Sequence, residues 1–408
     1  MRKINPGNFK MATRGTSREI NRQIALTLIR SHQPVSRADL ARLMETNRAN
    51  VTFLINELLE EKLVREGATG GEARRGRKPT FLYLNSRQRC AVAVDVRATR
   101  TFLMLTDMIG RQLEDIISFP TELNPEKFVE TLSRRIKQLL DDNEEATICD
   151  GIGVVVPGMI DRKSSKVLNA PTLNWRDVNL LKPLEENFKD IPIQIENSGK
   201  ACALSQIWTT RGEVHASNDL VFVSVSDGVG VGVVINGELM RGKHNTAGEF
   251  GHVPLSIDGP PCSCGATGCW EAYVSNLATL SRYFGRNATT RRPVSLENAG
   301  FTIEDLISRA RGGDGKALAA LNSTAHYLGL GLASIVNVID PSRIYIGGEI
   351  TEAWDLIEPT ARLALKERAL TKESGETMIR IVPASEHPRL RGAVALVTAP
   401  AFAAPKVA

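Results

Sequence analysis

The sequence predicts an α/β protein in which a small winged helix-turn-helix head precedes a larger body of two lobes. Three observations support this division. A chain of 408 residues is too long for one ordinary hydrophobic core. Residues 1–80 have a formal charge of +8, whereas the rest of the chain has −3. The head shows helical periodicity, and the body opens with residues 90–107, whose pattern predicts two strands and a turn.

The composition excludes several classes of protein. With 42% hydrophobic residues, the chain is globular rather than disordered. No uninterrupted apolar run reaches membrane-spanning length and no targeting segment is evident, so we expect a cytoplasmic protein with no membrane partner. A basic head on a mildly acidic body indicates contact with a polyanion, although charge alone is equally compatible with a merely soluble basic domain.

The head contains the pattern of a helix-turn-helix. We expect residues 1–16 to form a flexible basic arm, followed by a helix over residues 17–31 that ends before Pro34. Ser36 is a favourable N-cap for a short second helix, and a third helix is expected from about residue 47 to residue 62. Two short helices joined by a tight turn, the second of them polar at its start, match this DNA-binding motif.

The first residues of the second helix in this motif meet base edges in the major groove. Asparagine can form two hydrogen bonds with adenine, and arginine can do the same with guanine. The alternative is a three-helix protein-interaction module with an ordinary polar face. We predict base contacts by Asn47, Arg48, Asn50 and Thr52.

Two expected strands, residues 63–66 and 80–84, would add a wing and complete a head of residues 17–87. The loop between the strands, GATGGEARRGRKP, is rich in glycine and arginine. Its Arg-Gly-Arg tip is slim enough to enter a narrow, A·T-rich minor groove, where the negative potential is strongest. An isolated loop of this kind is often only a linker. The predicted DNA contacts of the wing are Arg74, Arg75, Arg77 and Lys78.

The most informative segment of the body is residues 249–271, EFGHVPLSIDGPPCSCGATGCWE. Three thiolates and an imidazole suit a closed, tetrahedral, structural zinc site. The alternatives are a disulfide or three unrelated buried cysteines. Half of the six cysteines lie in this one loop and no signal peptide is evident, which argues against a disulfide framework. We predict one structural Zn²⁺ held by His252, Cys262, Cys264 and Cys269.

Two carboxylates flank this loop. Glu249 lies three residues before His252, and Glu271 lies two residues after Cys269. A loop stiffened by a metal would hold both acids in fixed positions, where they could accept hydrogen bonds from sugar hydroxyls. The imidazole could offer its second nitrogen to the same ligand. The plainer interpretation is that both acids are solvated surface residues.

The ExGH pattern at residues 249–252, followed by CxCGxxGCxE at residues 262–271, resembles the signature of the ROK family of repressors and sugar kinases. The resemblance extends over the whole chain, because the repressor branch adds a DNA-binding module to a kinase-like body. It implies a two-lobed actin-like ATPase fold. The small lobe would comprise residues 88–197 and about 385–408, and the large lobe residues 198–384. We expect a homodimer or a higher homo-oligomer.

The phosphate loops of the family's kinases are altered in this chain. The first loop of those kinases has the pattern DxGxT, which corresponds here to residues 95–99. Arg97 replaces the glycine that lets the backbone approach a phosphate closely. In the second loop, Ser226 and Asp227 replace a Gly-Thr pair, and an aspartate beside a phosphate is repulsive. The glycines that persist are Gly228, Gly230, Gly232, Gly347 and Gly348, and we interpret these as structural.

The segment Glu196-Asn197-Ser198 departs from the kinase pattern as well. The kinases have Asn-Asp there, and their aspartate is the general base for the sugar hydroxyl. Ser198 cannot act as a base, although it can hydrogen-bond a hydroxyl. The resemblance implies a sugar site between the lobes, rimmed by Gly158 and formed by Asn197, Ser198, Glu249, His252 and Glu271.

Together these features predict a sugar-responsive transcriptional regulator of carbohydrate-metabolism genes, a repressor in the first instance, that binds a double-stranded DNA operator and is not an enzyme. Two alternatives stay open. One is a ROK-type sugar kinase whose basic head serves another purpose. The other is a regulator that has lost sugar sensing and responds to a partner protein. Arg97 and Ser198 argue against the kinase.

Overall fold

The computed structural model describes residues 14–67, 80–86, 88–161, 163–209, 219–285 and 300–402. The first thirteen residues of the predicted flexible arm lie outside these ranges, and so do the wing-loop residues Arg74, Arg75, Arg77 and Lys78. No helix in the described ranges has both the length and the apolar character that crossing a membrane requires.

The helices and strands alternate through the body and follow a mainly helical head. The helices are α1 (Arg14–His32), α2 (Arg37–Leu43), α3 (Arg48–Glu60), α4 (Pro125–Asp141), α5 (Leu181–Asn187), α6 (Ser198–Thr209), α7 (Glu271–Val274), α8 (Asn276–Phe284), α9 (Ile303–Arg311), α10 (Gly315–Ile339), α11 (Trp354–Arg368), α12 (Lys372–Gly375) and α13 (Pro388–Thr398). The strands are β1 (Val35–Ser36), β2 (Val64–Gly67), β3 (Phe81–Leu84), β4 (Arg89–Val96), β5 (Arg100–Asp107), β6 (Ile117–Pro120), β7 (Ile148–Val156), β8 (Met159–Ile160), β9 (Val167–Ala170), β10 (Trp175–Val178), β11 (Ile193–Asn197), β12 (Leu220–Val225), β13 (Val229–Ile235), β14 (Glu238–Leu239), β15 (Arg343–Gly347) and β16 (Met378–Ile381).

The head has the predicted three helices and wing strands. Ser36 caps α2 and forms a capping box with Asp39, which satisfies backbone donors at the start of the helix. The predicted apolar stripe of α3 is buried and consists of Val51, Leu54, Ile55 and Leu58. The first helix already includes Arg14, Gly15 and Thr16, so it extends beyond the predicted start at residue 17.

The wing sheet has a third strand that the sequence did not predict. Val35 and Ser36 pair with β3, so that the sheet order is β1-β3-β2. Val35 follows Pro34, and Ser36 is the N-cap of α2, a position that favours extended backbone. This short extended segment can therefore join the wing without any strand-like pattern in its sequence.

Two five-stranded sheets form the body and share one topology. Their orders are β11-β7-β4-β5-β6 and β14-β13-β12-β15-β16. In the first sheet, β4 forms an antiparallel hairpin with β5 and pairs in parallel with β7. In the second sheet, β12 pairs in the same way with β13 and β15. Asn236 and Gly237, both at positive φ, form the predicted tight turn between β13 and β14. The repeated topology agrees with the predicted two-lobed body.

The C-terminal helix α13 packs onto the first sheet and onto α6, as predicted for the end of the chain. Two glycines permit this close contact. A Cβ atom at Gly153 would lie 2.0 Å from the carbonyl oxygen of Ala393, and one at Gly392 would lie 2.0 Å from that of Ala201. Helices α6 and α13 therefore form a tightly packed pair beside the cleft between the lobes.

Candidate functional site

The predicted metal ligands lie together in the structure. The donor atoms of His252, Cys262, Cys264 and Cys269 are all within 4.8 Å of one another. Cys262 Sγ lies 3.6 Å from His252 Nδ1, and Cys264 Sγ lies 3.7 Å from Cys269 Sγ. Zinc bonds of about 2.3 Å to sulfur and about 2.0 Å to nitrogen give tetrahedral edges of about 3.5–3.8 Å. These two donor pairs have the spacing of a tetrahedral zinc site, and the remaining pairs are within 4.8 Å, so the cluster could hold one ion.

The loop that carries these ligands depends on glycines at tight turns. Gly265 and Gly268 have positive φ values of 98° and 70°. At Gly268 a Cβ atom would lie 1.6 Å from the carbonyl oxygen of Ser256, so only glycine fits. Backbone hydrogen bonds from Leu255 to Gly268 and from Gly268 to Pro260 close the loop around the donors.

The thiols need a cation to ionise in this setting. Burial raises the pKa of the Cys262 thiol above its usual range, and burial also raises the pKa of Cys269. Thiolates are the form that binds metal, so an ion at this site must displace protons. Metal affinity at this site is therefore expected to rise with pH.

The predicted sugar residues line one cleft between the lobes. The cleft has a volume of about 480 Å³. All the residues implied by the resemblance lie on its wall: Gly158, Asn197, Ser198, Glu249, His252 and Glu271. Because His252 directs Nδ1 toward the cysteines, its Nε2 atom is left for a ligand. The plain interpretation of Glu249 and Glu271 as solvated surface acids is wrong, since neither residue is exposed.

Glu271 connects the metal loop to the second glycine-rich loop. Its Oε2 atom accepts a hydrogen bond from the backbone amide of Val229, and its Oε1 atom accepts one from the Ser263 hydroxyl, both at 2.9 Å. A Cβ atom at Gly228 would lie 2.7 Å from Oε2. Gly228 therefore leaves room for Glu271, which gives this glycine a structural role, as predicted.

The sequence did not single out Lys200, which lies behind the sugar residues. Its side chain is 1% exposed, and its ammonium group donates a hydrogen bond to the carbonyl oxygen of Asn245. Burial lowers the pKa of Lys200, against the attraction of Glu196 and Glu249. Burial likewise raises the pKa of Glu249, against the attraction of Lys200 and His252. Lys200 is thus a buried cation that faces the acidic wall of the cleft.

Asn197 is held firmly at the start of α6. Its Oδ1 atom accepts hydrogen bonds from the backbone amides of Gly199 at 2.8 Å and Lys200 at 3.2 Å. Its Nδ2 atom donates to the carbonyl oxygen of Gly158 at 2.7 Å. Neighbouring Ser198 is also buried and lines the cleft. One amide hydrogen of Asn197 is left for a ligand.

Ion pairs fill the first phosphate loop. Arg97 Nε donates a hydrogen bond to Asp95 Oδ2 at 2.8 Å, and the fully buried Asp95 is also 3.9 Å from Arg389. Arg389 donates a further hydrogen bond to the Ser226 hydroxyl at 2.9 Å. Burial is the largest single effect and opposes the charge of Arg389, but Asp95 and the other nearby groups Cys202, Glu349 and Asp227 together outweigh it and raise the pKa of the guanidinium. The sequence did not identify Arg389, because it lies almost 300 residues from Asp95.

The predicted base-contacting residues are exposed on the first turns of α3. Arg48, Asn50 and Thr52 all have exposed side chains. Asn47 is the N-cap of α3, and its side chain accepts a hydrogen bond from the Asn50 amide at 2.9 Å. The Asn47 side chain is therefore already used as the helix cap, whereas Arg48 forms no ion pair with another residue that the structure describes.

A sequence profile of the ROK family matches residues 91–399. The chain belongs to the ROK family. A xylose repressor of Bacillus spizizenii is 32% identical over 352 residues, which are 86% of this chain and 88% of the relative. The predicted family membership is thereby confirmed.

Solved structures of this ROK protein's relatives include both branches of the family. The crystal structure of a ROK family transcriptional regulator, a homologue of the Escherichia coli MLC protein, has a TM-score of 0.78 at 22% identity and covers 95% of this chain and 98% of that chain. A ROK family glucokinase from Streptomyces griseus, in complex with glucose and AMPPNP, has a TM-score of 0.63 at 26% identity and covers 76% of this chain and 99% of its own. These matches confirm the predicted fold class.

The kinase leaves part of this chain unmatched, whereas the regulator and the xylose repressor extend over most of it. These similarities favour the predicted transcriptional regulator over the sugar kinase.

Proposed function

We propose that this ROK protein is a transcriptional repressor that binds a sugar between its lobes, holds one structural Zn²⁺ and does not phosphorylate sugar. The observation that carries the proposal is a division within the cleft. The wall that would face a sugar keeps Asn197, Glu249, His252 and Glu271, whereas ion pairs occupy the phosphate side. A protein with this cleft can recognise a sugar without transferring a phosphoryl group to it.

The loop would supply the four zinc ligands, and the bound ion would stabilise the conformation of the loop. The four donors fit a closed tetrahedral ion and leave no position for a catalytic water, which favours a structural role. The bound ion would fix the orientation of His252 and the distance between His252 and Glu271. Zinc would thereby preorganise one wall of the sugar site.

The alternative of kinase activity can be tested directly. We expect no measurable sugar phosphorylation, because the loss of a general base alone typically reduces the rate about 10²–10⁴-fold. Ser198→Asp should restore nothing by itself, since Arg97, Asp95 and Arg389 still occupy the phosphate side. A coupled assay with ATP and a panel of hexoses and pentoses measures this. Turnover of roughly 1–100 s⁻¹, which is ordinary for kinases, would contradict the proposal.

We expect the head to read a palindromic, A·T-rich operator as part of a homodimer, with half-sites one helical turn or a multiple of it apart. Arg48→Ala should weaken binding to the correct sequence by about 1–3 kcal/mol, because its guanidinium can pair with a guanine. Arg77→Ala should reduce the salt dependence of binding instead. Gel-shift titrations at several salt concentrations distinguish the two effects.

Arg134→Ala is the matched control for this prediction, because Arg134 is exposed on α4 of the body. It should leave operator affinity unchanged. If removal of residues 1–80 left the operator affinity unchanged, the head would not be the DNA-binding domain. Sedimentation of the protein with operator DNA measures the oligomeric state.

Two packed helices run from the cleft to the head and could transmit sugar binding. Helix α6 begins at Ser198 in the cleft and reaches Trp208 about 15 Å farther along. Trp208 meets Arg30 of the head, whose guanidinium lies 3.6 Å from the indole centroid and donates to the Trp208 carbonyl oxygen. Helix α13 begins near the cleft, where Arg389 lines the wall. Phe402, which follows α13 in the chain, packs edge-on against the Trp208 indole.

The test of the proposed function is release of operator DNA by a sugar. Xylose is the first sugar to examine, because a relative that covers most of the chain is named a xylose repressor. A sugar shifts the DNA-binding equilibrium only if it binds the two lobe arrangements with different affinity. A protein that binds its operator and ignores every sugar would instead favour the alternative in which sensing is lost.

A further inference from the structure

A small basic pocket lies where the head meets the body, away from the sugar cleft. Its volume is about 160 Å³. Three arginines from three different elements line it: Arg30 of α1, Arg111 of the turn after β5 and Arg391 of α13. The rest of the lining is uncharged and consists of Ile109, Gly110, Trp208 and Val394.

The described lining of this pocket contains three arginines and no carboxylate. In the described part of the chain, neither Arg111 nor Arg391 forms an ion pair with a carboxylate. Asp107 attracts Arg111, but its Oδ1 atom already accepts hydrogen bonds from the backbone amides of Ile109 and Arg111. His387 lies near Arg391 and can add only positive charge. Three guanidinium groups without a lining carboxylate favour an anion.

A buried donor in the pocket also lacks a partner. The indole Nε1 atom of Trp208 is buried and has no hydrogen-bond partner among the described residues. Gly110, at a φ of 84°, lies against this atom, and a Cβ atom there would be 3.3 Å from Nε1. An unpaired buried N–H group costs free energy, so it marks a place where an acceptor from a ligand would be stabilised.

We propose that this pocket binds a small tetrahedral oxyanion, either free phosphate or the phosphoryl group of a small metabolite. Planar guanidinium groups bind phosphate oxygens through paired hydrogen bonds, and the indole N–H supplies a further donor. The pocket is too small for a whole sugar phosphate, but Arg111 and Arg391 are exposed and leave it open to solvent. Only the phosphoryl group would be enclosed.

The anion would tie the head to the body. Arg30 belongs to the head, and Arg111 and Arg391 belong to the body, so one anion would bridge both parts. Arg30 also stacks on Trp208, next to the end of α6. If the proposed repressor function holds, phosphate would therefore fix the orientation of the DNA-reading helix and act as a second input beside the sugar.

Isothermal titration with inorganic phosphate tests the site without DNA or sugar, so its outcome is independent of the proposed function. Sodium chloride at matched ionic strength removes the general effect of salt. We expect wild-type protein to bind phosphate and Arg111→Gln and Arg391→Gln to bind it at least about tenfold more weakly, the typical cost of a lost hydrogen bond to a charged group. Arg134→Gln, on the distant α4, should bind as wild type does.

A second arm distinguishes the source of the anion. If a phosphorylated metabolite is the ligand, glucose 6-phosphate should bind more tightly than inorganic phosphate, and the same two variants should weaken both. The lysine variants Arg111→Lys and Arg391→Lys keep the charge and should bind with intermediate affinity, which separates a binding effect from misfolding. Absence of phosphate binding by wild-type protein, or equal binding by Arg111→Gln and Arg391→Gln, would overturn the proposal.

Discussion

Cys264→Ser should yield a protein that no longer copurifies with about one zinc ion per chain and that unfolds at a lower temperature. The change removes one of four donors that lie within 4.8 Å of one another. Binding of a structural zinc ion contributes about 10–16 kcal/mol in small zinc-finger peptides, where metal binding is folding. The large lobe has a core of its own, so we expect destabilisation of the lobe rather than complete unfolding.

Elemental analysis of freshly purified, reduced protein measures the first effect, and calorimetry measures the second. Cys149→Ser is the matched control, because Cys149 lies on β7 and takes no part in the cluster. That variant should keep its zinc. A wild-type protein without zinc would end the hypothesis of a structural zinc ion.

The position of the loop adds a functional consequence. The loop carries His252 and leads directly into Glu271, both of which line the cleft. Cys264→Ser should therefore weaken the sugar response, whereas operator binding by the separate head should persist. Chelation of the metal from the wild-type protein should have the same effect, and added zinc should reverse it.

Glu249→Ala should abolish the response to sugar and leave operator binding intact. The carboxylate is half-buried in the wall of the cleft, so its loss removes an acceptor for sugar hydroxyls that water cannot easily replace. Coupling between an effector and a second site is typically about 1–3 kcal/mol, or about 5–150-fold in affinity. We expect the sugar to lower the operator affinity of the wild type by a factor in this range and to leave the operator affinity of the variant unchanged.

Operator titrations at increasing sugar concentration measure this effect. Glu249→Gln keeps the shape of the side chain and removes its charge, so it tests whether the loss arises from a cavity beside Lys200. Glu238→Ala, at an exposed position on β14, is the matched control and should respond as the wild type does. The assignment of Glu249 fails if Glu249→Ala releases DNA at the same sugar concentration as the wild type.

The elements that the sequence predicts well are those with local causes. The buried stripe of α3 follows from helical periodicity, and the cap of α2 follows from Ser36 and Asp39, three residues apart. The metal cluster is also local, because its donors lie within one loop of tight glycine turns. In each case the interacting residues are close in the sequence, so their spacing is enough to predict the local structure.

The contacts that the sequence could not predict join residues that are far apart along the chain. Lys200 follows Ser198 in an ordinary helical sequence, and only folding buries it behind Glu249. The wing strand β1 is two residues long, too short for a recognisable pattern. These features arise from packing between helices and strands that are distant in the sequence, so the spacing of neighbouring residues does not predict them.

The sequence alone therefore determined the family and the head, and it identified the four side chains that cluster in the metal loop and the residues that we propose as the sugar wall. Tertiary structure decided what closes the phosphate side, because Arg389 reaches Asp95 and Ser226 only after α13 packs against α6 through Gly392. It also decided how the cleft is connected to the head, through Arg30, Trp208 and Phe402. These contacts join α1, α6 and the segment that contains α13, which are far apart in the sequence and come together only in the folded protein.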